Sequence, residues 1–239
     1  MYVRTIICLA NSRKPPSGRC IAGRELNNGR AGAWLRPVSN RPGHEVSEVE
    51  RRYQNGTTAQ LLDIVRIPLT QPAPMGHQVE NQLLDDQYYW VKEGVATWEQ
   101  VVAAVDAPDP AFWGHLDSTF HGVNDKVRDE NVGRLGRSLQ LIRVNDLTIK
   151  VRVEAGYQGR DGRRRVRASF TAMGNRFCLS ATDPVIEERY LAQQDGEYHV
   201  GDAVVCVSVS EVWQDYAYAF RLAASIITPE RCAEAAARP

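Results

Sequence analysis

The stretch LQLIRVNDLTIKVRVEAGYQGRDGRRRVRASFTAMGNRFCLSATDPVIEE, residues 139–188, decides the fold class. Residues 139–144, 147–154, 166–172 and 177–181 are aliphatic and β-branched runs of strand length. Asn145-Asp146 and Gly174-Asn175 read as hairpin turns between them, and residues 156–165 as a glycine-rich basic loop. Thr182-Asp183-Pro184 then opens a short helix: a capping side chain, a proline in the first turn, and Glu187-Glu188 near the positive end. Residues 203–212 and 217–227 supply two more strands.

Three strands, a helix and further strands are the order of an OB-type barrel. The first half of the chain reads as a weaker version of the same order. Strands are expected over 2–10, 19–26, 33–38, 61–69 and 77–84, with Asn27-Asn28-Gly29 as a tight turn. Residues 40–56 read as a polar loop with a short helix near 47–52. Thr97, with Glu99 and Gln100 behind it, predicts a helix N-terminus, and Pro108 stops that helix. Phe112, Trp113 and Leu116 are expected to cover a barrel end. The fold expected is therefore mainly β: two tandem OB-like small β-barrels with a helical connecting segment. Their bounds are 1–90, 91–136 and 137–228, with a tail over 229–239.

Composition excludes several classes. Hydrophobic residues at 43% and charged residues at 24% are those of a globular chain. No apolar run reaches the roughly 18 residues of a membrane span, and the start reads as a first strand, not a signal peptide. Five cysteines with no CxxC pair disfavour a disulfide framework and a zinc ribbon. A cytoplasmic, reducing compartment is expected, with no cofactor. The net charge of zero hides alternating blocks: +6 over 1–66, −6 over 77–146, +6 over 147–176 and −6 over 177–239. Arginine outnumbers lysine 25 to 4, which fits base composition or guanidinium contacts to phosphate.

Asn11-Ser12-Arg13-Lys14, Gly18-Arg19-Cys20-Ile21-Ala22-Gly23 and Trp34-Leu35-Arg36-Pro37-Val38-Ser39 resemble the start of the prokaryotic dual OB-fold proteins. Leu61-Leu62-Asp63-Ile64-Val65, His77-Gln78-Val79-Glu80-Asn81 and Leu179-Ser180-Ala181-Thr182-Asp183-Pro184 are similar to later landmarks of that family. The resemblance implies two barrels that bind nucleic acid, in conflict or defence systems, and implies no catalytic residue.

Two basic clusters are candidate nucleic-acid contacts. The first is Arg13, Lys14, Arg19, Arg24 and Arg36 around Trp34, which joins phosphate neutralisation to an aromatic platform. The second is Arg160, Arg163, Arg164, Arg165, Arg167 and Arg176, with Tyr157 and Phe170 nearby. The alternative reading of each is a solvated strand face or hairpin tip. His115, Asp117, His121 and Asp125 have the residue types of a divalent-metal site for a nuclease or phosphodiesterase, although they share no single helical or strand face. The plainer reading is a polar loop around Trp113 and Phe120. A third function class stays open, a protein-interaction module that docks a partner through the acidic segments.

Overall fold

The computed structural model describes residues 1–156, 161–213 and 215–238. They form two compact units, residues 1–105 with 227–239, and residues 106–226. The first unit is built from β1 (Tyr2–Lys14), β2 (Gly18–Asn27), β3 (Arg30–Val38), β4 (Asp63–Pro72), β5 (Asn81–Leu84) and β6 (Val91–Val95). β1, β2 and β3 form an antiparallel meander. β3 then pairs parallel with β5, β5 antiparallel with β4, and β4 closes antiparallel onto β1. β6 adds to the outer edge of β4. The β2–β3 turn is the expected one, with Asn28 and Gly29 both at positive φ (50° and 77°). Ile6, Cys8, Ile21, Leu35, Val65, Ile67 and Leu69 fill this barrel.

Helix α1 (Trp98–Ala103) starts where the sequence places it: Thr97 accepts from the Gln100 amide and the Gln100 side chain answers, a complete capping box. The helix expected near 47–52 does not form. The Glu50 carboxylate takes the Ser47 amide (2.7 Å) and the Ser39 hydroxyl, and these local bonds hold the segment in turns. The strand expected over 77–84 is confined to β5.

The second unit contains α2 (Pro110–Trp113), β7 (Lys126–Arg128), α3 (Asp129–Val132), β8 (Leu139–Glu154), β9 (Arg163–Ala172), β10 (Asn175–Ala181), α4 (Pro184–Leu191), β11 (Gly196–Val209) and β12 (Tyr218–Ile227). Its connectivity repeats the first. β8, β9 and β10 form a meander, β10 pairs parallel with β12, and β11 lies between β12 and β8. Both units are thus Greek-key barrels with the parallel pairing of third and fifth strands, and the protein is mainly β. Asn145-Asp146 does not make a hairpin turn; it lies inside the continuous strand β8. Opposite it, β11 shifts register around Gly201 (φ 81°), so a bulge bends the pair where a turn was expected. Asp146 accepts the Thr171 amide at 3.2 Å. Phe112 and Trp113 are buried against Phe170 and Phe177, whereas Leu116 is largely exposed. Residues 229–236 form a last helix, α5 (Pro229–Ala236), in the first unit. Arg238 ties its end to the Leu61 carbonyl (2.9 Å) and the Asp63 carboxylate (3.1 Å).

Arg221, on β12, is fully buried. Its guanidinium donates to the carbonyls of Phe112 (2.8 Å), His115 (2.6 Å) and Asn124 (3.2 Å). Burial lowers its pKa to about 10, against the raising influence of Asp125 and Asp117. The segment 112–126 is therefore wound around one cation. Among the described residues no helix is long and apolar enough to cross a membrane.

Arg221→Ala leaves these carbonyls without their donor, and a loss of about 3–5 kcal/mol is expected. A urea titration that finds less than about 1 kcal/mol overturns this role. All five cysteines are free thiols, and Cys20 alone is not buried. A thiol reagent applied to the native protein is expected to modify Cys20 first. Burial pushes the Cys232 thiol up to about 11 and raises Cys8 and Cys178 as well, which slows them further.

Candidate nucleic-acid interface

Strand alternation sorts the basic residues of the second unit. Ile149 and Val151 on β8 and Val166, Ala168 and Phe170 on β9 face the core. Lys150 and Arg152 on β8, Arg163, Arg165 and Arg167 on β9, and Arg176 on β10 therefore share the outer face. Register places Arg152 directly opposite Arg165, and Lys150 opposite Arg167.

Part of this face is covered by residues 117–125. Val123 bridges Cys178, the Asn124 side-chain amide donates to the Arg176 carbonyl (2.8 Å), and Arg152 donates to the His121 carbonyl (2.7 Å). Beneath this cover Arg167 is 6% exposed and holds Asp125 (3.1 Å) and, bidentately, Glu154. Burial opposes its charge, but the Glu154 and Asp125 carboxylates outweigh that and raise its pKa. Arg167 is an interior ion-pair residue, a correction to its place among the expected nucleic-acid contacts. Beyond the cover, Arg163, Arg165 and Arg176 are exposed, and Arg152 keeps half of its side chain in solvent. Among the described residues Arg163 and Arg165 have no ion-pair partner. Lys150 pairs with Glu197 at 2.7 Å.

Arg164 points to the other side of β9. It grips the chain after α4 through the Leu191 and Gln193 carbonyls, both at 2.7 Å, and Asp195 at 2.8 Å. Tyr157 and Arg160, also expected in this cluster, lie outside the described residues.

The first unit separates its five basic candidates. Arg13 and Arg19 face each other across β1 and β2 on the side that carries Ile21, next to the turn at 15–17. Burial, then the neighbouring charge of Arg19, lowers the pKa of Arg51, so a third guanidinium stands close to this pair. Lys14 closes the same hairpin opposite Gly18. Arg24 and Trp34 are paired on the opposite side of the sheet, with the guanidinium 5.8 Å from the indole. Arg24 also donates to Gly32 (2.5 Å) and to Ala104 at the end of α1 (3.3 Å), so its contacts are internal. Arg36 is 3% exposed and paired with Glu80 at 3.2 Å. Like Arg167, it serves the interior and is removed from the expected surface set.

The two carboxylates of the expected metal group are drawn into other bonds, and His115 and His121 give their backbone carbonyls to Arg221 and Arg152. Asp125 accepts the Thr119 amide (2.7 Å) and hydroxyl (2.6 Å) besides Arg167. Asp117 pairs with Arg128 at 3.3 Å. Burial and the positive charges of Arg221 and Arg134 lower the His115 pKa. Among the described residues no three His, Cys, Asp or Glu side chains converge as a metal site.

Sequence reasoning missed Lys150 and Arg152, although the alternation in Ile149-Lys150-Val151-Arg152 carries the signal. It also set aside the hairpin between β11 and β12, where Trp213 is 55% exposed. That hairpin borders an open cleft of about 480 Å³ lined by Arg128, Asp129, Glu130, Tyr216, Ala217 and Tyr218. Its two carboxylates make it a poorer seat for phosphate than the β8–β9 face.

The two neighbouring arginines on β9 are expected to separate in stability. Arg164→Ala loses its bonds to the chain after α4 and should cost about 1–2 kcal/mol. Arg165→Ala removes a like-charge neighbour of Arg152 and should change stability by under about 0.5 kcal/mol. Urea unfolding of both variants checks the order, and a reversal overturns the assignment.

No curated protein and no solved structure matches the chain. The model of one family, described as the dual OB-containing domain, matches residues 4–226. That span takes in both barrels and stops just before the last residue of β12. The chain, with its two barrels of one connectivity, belongs to the dual OB-containing domain family.

Proposed function

We propose that this protein binds nucleic acid by its phosphate backbone, beside the loop that joins the first and second strands of each barrel. The observation that carries the reading is a like-charged pair at that place in both units, Arg13 opposite Arg19 and Arg152 opposite Arg165. Like charges directly opposite on a sheet destabilise it. In the second barrel Arg165, exposed and with no ion-pair partner among the described residues, stands in that repulsion beside the exposed Arg163 and Arg176, and an external anion would relieve it. Guanidinium forks match phosphate oxygens, and OB barrels take oligonucleotides on the second and third strands and the loops beside them. Arg163, Arg165 and Arg176 lie on those strands in the second barrel. The five free thiols agree with a reducing cytoplasm.

Fluorescence anisotropy with labelled single-stranded DNA, single-stranded RNA and duplex tests the proposal. With about four phosphates neutralised on a single strand, log K is expected to fall against log salt with a slope near −3. The triple variant Arg152→Gln, Arg163→Gln, Arg165→Gln should bind at least about tenfold more weakly, with a slope shallower by about 2. Binding indifferent to salt, or no binding to any of the three, sinks the reading. In the second case a partner captured by the acidic segments becomes the reading to pursue.

A further inference from the structure

Phe120 is 93% exposed, more than any other large apolar side chain among the described residues. It sits in the segment that covers part of the β8–β9–β10 outer face, outside the barrel strands. The backbone on both sides of it is fixed. Thr119 gives its amide and hydroxyl to Asp125, the Gly122 amide donates to the Thr119 hydroxyl (2.9 Å), and the His121 carbonyl accepts from Arg152. A Cβ on Gly122 would lie 1.8 Å from an Asp125 carboxylate oxygen, so the loop passes this anchor with no room to spare. The His121 ring stands perpendicular to the phenyl with centroids 4.8 Å apart, and at 93% exposure most of the Phe120 ring stays open to solvent. An apolar ring is thus held in water by a closed set of bonds, next to the carbonyl gripped by Arg152, which itself lies opposite Arg165 on the sheet.

We infer that Phe120 is a base-stacking platform that makes this interface selective for unpaired nucleobases. The inference rests on the nucleic-acid reading above and adds the kind of nucleic acid. An unpaired base lies on the phenyl face while the flanking phosphates meet Arg152 and Arg165. In a duplex the bases are already stacked on one another and offer the ring no face. A second copy of the chain is the rival occupant, but a two-fold contact at Phe120 would bring each copy's Arg152–Arg165 pair towards its own equivalent.

The test uses the full chain and three labelled probes of equal length: a thymidine oligonucleotide, an abasic strand with the same phosphates, and a duplex. Wild type is expected to prefer the thymidine strand to the abasic one, and Phe120→Ala to lose about 5- to 150-fold on the thymidine strand. The same variant should leave the abasic strand and the duplex within twofold, and Phe120→Trp should restore binding. An unchanged unfolding midpoint in Phe120→Ala confirms that the fold is intact. Thymidine binding that survives Phe120→Ala yet falls in the Arg152, Arg163, Arg165 variant overturns the stacking role and keeps the nucleic-acid reading. No binding of any probe to wild type overturns both. A wild-type dimer in sedimentation that Phe120→Ala dissolves overturns the inference in favour of the second copy.

Discussion

The second barrel depends on a guanidinium with almost no water around it. Arg221 is surrounded by backbone carbonyls of the segment that precedes β8, and its own amide donates to the Asp125 carbonyl at 2.8 Å. Taking a cation out of water costs several kcal/mol, and the lowered pKa is the signature of that cost. Oriented carbonyl dipoles and the nearby carboxylates of Asp125 and Asp117 offset it. Because the donors are fixed in one plane, the carbonyls must come to them, and an irregular stretch of chain acquires a single path. That path ends at Asp125, whose carboxylate passes the constraint to Arg167, and Arg167 passes it to Glu154. The cover over the outer face is thus a consequence of one buried arginine.

The cover also determines which arginines remain for a ligand. Arg167 lies under it and is neutralised; Arg163 and Arg165, on the same face of the same strand, lie beyond it and are exposed. Two residues along a strand separate an interior ion pair from an exposed guanidinium. The first barrel makes the same division with different parts. Asp63 is its buried hub, accepting from Tyr53 (2.8 Å), the Gln60 amide (3.0 Å) and Arg238 (3.1 Å). Arg36 is consumed by Glu80, while Arg13 stays at the rim. In both units the carboxylates sit inside and select which guanidiniums stay there.

This explains what the sequence discloses and what it withholds. The helix at Thr97 and the helix at Asp183-Pro184 are legible because their caps are local: the bonded groups are three residues apart or fewer. Strand order is legible from alternation and turn residues. Asn145-Asp146 misleads because its dipeptide is turn-like, and the partner that keeps it within a strand, β11 around Asp202, lies more than 50 residues later. Arg36 and Arg167 mislead for the same reason. Their partners Glu80 and Asp125 are distant in sequence, so nothing near either arginine distinguishes a buried ion pair from a phosphate contact. Arg221 carries no local mark at all. It lies in an ordinary aliphatic strand, and only the closure of the segment before β8 around it gives the charge a purpose.

Charge placement in the two barrels follows a single physical rule. A guanidinium that has found a desolvated carboxylate is lost to a ligand, since exchanging that partner for phosphate would leave the carboxylate buried and uncompensated. A guanidinium held opposite another of its kind gains from any anion that arrives. Arg165, exposed and opposite Arg152, is of the second sort. Two small sites on one chain act as a strong one when the same strand reaches both, because the second contact forms at the effective concentration that the first creates. On the proposed reading, two barrels supply affinity without enlarging either, and other arginines serve ion pairs inside each barrel, as Arg36 does with Glu80 and Arg167 with Glu154 and Asp125.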